Sequence, residues 1–156
     1  MNDPPFDFPI LGFTPDGDLG GFPSLAEFRR CNEHGLKTRR DVGMVLCDDL
    51  GRTWTITDVR SLGLQGSALK RGLARVFASF RIYTVEYTLE PGDTLSLEEI
   101  KARVCAAIDK FPGAYFDDAY DQDTGEWLDM DEYLGRMKAR VRQAKDLREM
   151  MDRFLE

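Results

Sequence analysis

Val42 to Leu62, VGMVLCDDLGRTWTITDVRSL, is the stretch whose reading decides the fold. Val42, Met44 and Leu46 alternate before a turn, Trp54 and Ile56 alternate after it, and Thr53, Thr55 and Thr57 favour extended backbone. Between the two runs, Asp48-Asp49-Leu50-Gly51 supplies a turn. Its glycine can adopt positive φ, and its short carboxylates can satisfy local backbone donors. The segment therefore reads as a β-hairpin over about 42–62, a scaffold with no reaction centre of its own.

Outward from the hairpin, Ser79 to Leu89 places Tyr83, Val85, Tyr87 and Leu89 on one face and Phe80, Ile82 and Thr84 on the other. That pattern suits an inner strand of the same antiparallel sheet over about 79–89. Between hairpin and strand, Ser67 is positioned to cap a short helix carrying Leu69, Leu73, Val76 and Phe77. Ser24-Leu25-Ala26-Glu27 is a capping box opening a helix over about 24–33, with Gly35 as its stop. Ser96-Leu97-Glu98-Glu99 is a second box. The stripe Leu97, Ile100, Val104, Ala107, Ile108 and Phe111 defines a helix over about 96–111, ended by Pro112 and Gly113. Asp129-Met130-Asp131-Glu132 opens a long C-terminal helix over about 131–155. Its seam of Leu134, Met137, Val141, Ala144, Leu147, Met151 and Phe154 is close to a heptad with one slip.

The expected fold class is α+β: an antiparallel sheet covered by these helices, in one domain spanning residues 1–156. Residues 1–22, rich in Pro, Gly and Phe, read as an irregular lead-in held by Phe6, Phe8, Phe13 and Phe22, with residues 1–5 disordered.

A chain of 156 residues with 42% hydrophobic and 31% charged content can bury a core without staples. Its start lacks the basic and apolar regions of a secretory signal, and no apolar run approaches the ~20 residues of a membrane helix. The expectation is a cytoplasmic protein without membrane contact. Cys31, Cys47 and Cys105 are odd in number, widely spaced and form no CxxC pair, so they read as buried free thiols. The single histidine, His34, has no partner at metal-ligand spacing.

The net charge of −7 is uneven: residues 117 to 132 contain eight acids and no base, and residues 133 to 156 contain seven bases against four acids. An acidic balance counts against nucleic acid, which is bound by clustered Lys and Arg. The acidic run is interleaved with rings. Tyr115, Tyr120 and Trp127 stand among Asp117, Asp118, Asp121 and Asp123, the composition of a surface whose aromatics anchor a partner and whose acids steer a basic one.

No serine elbow, phosphate loop, dinucleotide fingerprint or zinc-protease motif occurs, so the expectation is a non-enzymatic protein with no cofactor. The leading functional reading is a domain that binds a basic protein. An immunity protein neutralising a bacterial toxin is one form that small size and acidity would suit.

Two alternatives accompany it. Asp121, Asp123, Asp129 and Glu132 fall at positions 1, 3, 9 and 12 of a calcium-loop pattern, although Gly125 and Glu126 depart from it at positions 5 and 6. The C-terminal helix could instead pair with its twin in a homodimer.

Overall fold

Apolar side chains stand on both faces of the central strands, which forces a layer onto each side of the sheet. In β1 (Ile10–Phe13), Ile10 packs with Phe6, Phe28, Met44, Leu46, Trp54 and Ile56. Leu11 and Phe13 pack in the other layer, with Cys47 and the helical side chains Ile100, Val104 and Ile108. The computed structural model describes residues 3–66, 81–115, 120–121 and 125–152. The helix expected over 67–77 lies outside those residues.

The remaining strands are β2 (Leu19–Phe22), β3 (Arg30–Asn32), β4 (Val45–Cys47), β5 (Thr53–Leu64) and β6 (Ile82–Pro91). They form a curled six-stranded antiparallel sheet in the order β2-β1-β4-β5-β6-β3. The fold is α+β, as expected. The hairpin that decides it is β4–β5, with Leu46 opposite Trp54, and the strand expected over 79–89 is β6, with Leu89 opposite Ile56.

Three expectations are corrected. The lead-in is not irregular throughout, because β1 and β2 form a regular hairpin there. Gly12, which reads as a breaker, is a packing requirement: a Cβ at that position would lie 2.6 Å from the Met44 sulfur.

The helix expected over 24–33 is cut short. Ser24 caps α1 (Leu25–Phe28), after which the chain turns into β3 to pair with β6, Cys31 opposite Tyr83. A second helix, α2 (Glu33–Thr38), then opens with the Asn32 side chain accepting from the Gly35 amide. Backbone pairing at the sheet edge overrides the local helical pattern.

The long C-terminal helix is also divided. Its first part, α5 (Met130–Gln143), ends where Ala144 takes an extended conformation at φ −57° and ψ 133°, and the chain resumes as α6 (Leu147–Asp152). The break lets Ala144, Leu147, Met150 and Met151 all reach the helical core layer. A buried lysine holds it: Lys101 Nζ donates to the Arg142 carbonyl and to Glu98, both at 3.0 Å. A cation suits the carbonyl end of a helix.

Lys101 belongs to α3 (Leu97–Lys110), which begins at Ser96 with the expected capping box and buries Ile100, Val104, Ala107 and Ile108. A one-turn helix, α4 (Pro112–Tyr115), follows. Among the described residues no helix is long and apolar enough to cross a membrane.

Among the described residues, the second face of the sheet is covered by aromatic rings. Phe6 contacts Phe8, Phe28 and Trp54 at ring-centroid distances of 5.7, 5.6 and 5.0 Å, and Phe28 contacts Tyr87 at 4.8 Å. The hydroxyl of half-buried Tyr87 donates to the buried Asp41 carboxylate at 2.7 Å, so each polar group has a partner.

Both layers should therefore respond as core. Ile108→Ala and Phe28→Ala are each expected to lower stability by about 2–5 kcal/mol in urea denaturation. A loss below about 1 kcal/mol for Phe28→Ala would show that the aromatic layer merely rests on the sheet.

Candidate functional site

Tyr120 and Trp127 are cross-strand partners. They belong to a separate two-stranded ribbon, β7 (Tyr120–Asp121) and β8 (Glu126–Trp127), in which Asp121 is paired with Glu126. Gly125 precedes β8 at φ 72°, a conformation glycine adopts without strain.

The chain leaves the ribbon under close constraint. Trp127 is 76% exposed, whereas the next residue, Leu128, is buried at 7%. Asp129 then caps α5, its Oδ1 accepting from the Glu132 amide at 2.8 Å. Glu132 in turn pairs with Arg136 one helical turn on, at 2.9 Å. Tyr133 and Leu134 pack into the helical core layer. An exposed indole thus sits directly beside an anchored segment, and Met130, 41% exposed, follows it on the first turn of α5.

Tyr115 has a different setting from Trp127. Its hydroxyl donates to Asp18 Oδ1 at 2.8 Å and accepts from the Leu19 amide at 3.2 Å, tying α4 to the β1–β2 hairpin. Burial and the Asp18 carboxylate push its phenol pKa upward. Asp117, Asp118 and Asp123 lie outside the described residues. Of the four carboxylates at calcium-loop positions, Asp129 serves as a helix cap and Glu132 is held by Arg136. Among the described residues no group of three His, Cys, Asp or Glu side chains is arranged to hold a metal ion.

Sequence reasoning did not anticipate a cleft of about 830 Å³ between the N-terminal segment and the β5–β6 pair, walled by Pro4, Pro5, Trp54, Tyr87 and Leu89. Its charges are internally balanced. Asp3 pairs with Arg29 at 3.4 Å, Arg60 with Glu86, and Asp58 with Arg39 at 2.5 Å. The Trp54 ring in its wall is packed by Phe6 and by the guanidinium of Arg52, 5.5 Å from the ring centroid. The alternation of Asp58 and Arg60 along β5 is the one trace of this surface in the sequence.

The three cysteines are free thiols, with Cys31 and Cys47 buried and Cys105 partly so. Burial raises the pKa of each, and that of Cys47, beside the Asp48 carboxylate, is pushed up to about 12. Such thiols stay protonated near neutrality. His34 lies exposed on α2.

No protein family, curated protein or solved structure was found to match the chain.

The setting of Tyr115 makes its hydroxyl a structural tie. Tyr115→Phe is expected to lower stability by about 1–2 kcal/mol, because the Leu19 amide and Asp18 each lose a partner. A thermal melt unchanged within error would show that this tie contributes nothing.

Proposed function

We propose that the chain is a non-catalytic protein-binding domain that engages a basic protein through the ribbon and the start of α5. The observation that carries this reading is the 76% exposure of Trp127 immediately before buried Leu128. Large aromatic side chains dominate binding energy at protein interfaces, and an anchored neighbour reduces the entropy lost on docking.

Charge supports the same surface. The eight acids between residues 117 and 132 meet no base within that run, so they attract a cationic partner and speed its encounter. In this reading Trp127 and Tyr120 are the anchors, and Asp117, Asp118, Asp121 and Asp123 are the steering charges. Tyr115 is held by Asp18 and the Leu19 amide, so it is not counted among the anchors. A small acidic inhibitor of the bacterial immunity type, covering a basic toxin, is one biological form consistent with this size and charge.

The test uses three tagged baits on lysate of the source organism: wild type, Trp127→Ala, and a variant with Asp117, Asp118, Asp121 and Asp123 changed to Asn. A basic protein held by wild type is expected to be lost from the Trp127→Ala bait and, with salt-dependent weakening, from the Asn variant. Melting temperatures of the baits should agree within about 2 °C, since Trp127 is exposed. Equal retention by all three baits would remove the ribbon from the interface.

A further inference from the structure

We infer that the outer edge of β6, beyond the point where β3 leaves it, is a docking lane for an extended peptide segment of a partner. That segment alternates polar and apolar residues and begins with a base. The lane does not depend on the ribbon and is tested separately from it.

The direction of the backbone groups defines the lane. Along a strand, successive residues turn their N–H and C=O groups to opposite edges. The Ile82 carbonyl accepts from the Gln65 amide at 2.8 Å, so the even-numbered residues of β6 face β5. The Val85 amide donates to the Arg29 carbonyl at 2.9 Å, so the odd-numbered residues face outward. Ile56, opposite Leu89, bonds away from β6 to Met44 and Gly43, which fits the same parity. β3 covers the outer edge from Ile82 to Thr84, and the residues before Arg29 belong to α1. Among the described residues, no group bonds the outward N–H and C=O of Tyr87 or Leu89.

The cleft of about 830 Å³ lies beside this stretch. Glu86 to Leu89 line it together with Phe28 and Arg29, and Pro4 and Pro5 stand across it. Neither proline has an amide hydrogen, so this neighbour walls the lane without pairing in it. An open row of main-chain donors and acceptors is a template for an added strand.

Register specifies the occupant. A strand running antiparallel to β6, in line with β3, sets one residue opposite each of Glu90, Leu89, Thr88, Tyr87 and Glu86. Tyr87 and Leu89 pack with the aromatic layer, so the residues opposite them are apolar. Thr88 and Glu90 are exposed, which suits a hydroxyl opposite the first and a lysine or arginine opposite the second. Glu86 is already paired with Arg60 and takes a neutral polar neighbour.

The probe is the acetylated, amidated peptide Lys-Val-Thr-Val-Thr, added to the full chain and followed by amide NMR. In the free protein, the Tyr87 and Leu89 amides are expected to exchange with solvent at least about tenfold faster than those of Glu86 and Thr88. Peptide at millimolar concentration is expected to shift both resonances and slow their exchange. N-methylation of the two valines removes the donors that face Tyr87 and Leu89 and is expected to abolish the effect. Glu90→Lys, at an exposed position, is expected to weaken binding about twofold or more.

Tyr87 and Leu89 amides as protected as that of Thr88 in the free protein would overturn the inference, because the edge would already be closed. Equal binding of the N-methylated peptide would overturn it by showing that main-chain pairing is not the contact. Unshifted Tyr87 and Leu89 resonances at millimolar peptide would overturn it as well.

Discussion

The carboxylate of Asp48 is fully buried, and the rest of the structure is arranged about the bonds it makes. One oxygen accepts from the Leu50 and Arg52 amides at 3.1 and 2.9 Å, and the other receives the Arg52 guanidinium. A buried charge is tolerable only when so fully satisfied. The consequence is a rigid β4–β5 turn from which both core layers are aligned. Arg52 extends from Asp48 to the Trp54 ring in the aromatic layer. On the helical side, the Gly51 carbonyl accepts from the Leu95 amide at 2.8 Å, just before α3 begins. Gly51 sits at φ 76°, and any Cβ there would come within 2.2 Å of the Leu95 oxygen, so glycine is required.

The proposed docking surface follows from the way the helical layer is attached. Because α5 is fixed by its Asp129 cap and by Lys101 near its far end, the chain immediately before it is held as well. Within that constraint one residue is turned inward and its neighbour outward, and the outward one is Trp127. Rigid support under an exposed ring is what distinguishes a docking surface from a solvated loop. The cleft beside β5 and β6 offers no such ring, since its charges are paired and its tryptophan is packed by Phe6 and Arg52.

Legibility in the sequence tracked how local each interaction is. The β4–β5 hairpin and α3 are written in consecutive residues, through alternation and turn chemistry in one and a capping box with an apolar stripe in the other. β1 and β2 were hidden because Gly12 resembles a breaker until Met44, more than thirty residues later, is seen to occupy the space beside it. β3 was hidden because its reason for being extended is β6. The division of the C-terminal helix was half visible. The slip in its seam falls at Ala144, where the backbone opens, but Lys101 bonding to the carbonyl of Arg142 is a tertiary contact. At the candidate site, the acids and rings were legible as composition, but their orientation was not. Tyr115 is drawn inward by Asp18, a partner 97 residues away, while Trp127 stays outside.

The most direct test of the central role of Asp48 is equilibrium urea denaturation of Asp48→Ala, followed by Trp54 fluorescence in a Trp127→Phe background. Loss of the carboxylate strands two turn amides and releases Arg52, so stability should fall by about 2–4 kcal/mol with an unchanged dependence on denaturant. A loss below about 0.5 kcal/mol would contradict the claim, and would mean that strand packing alone, without the buried carboxylate, sets the alignment of the two layers.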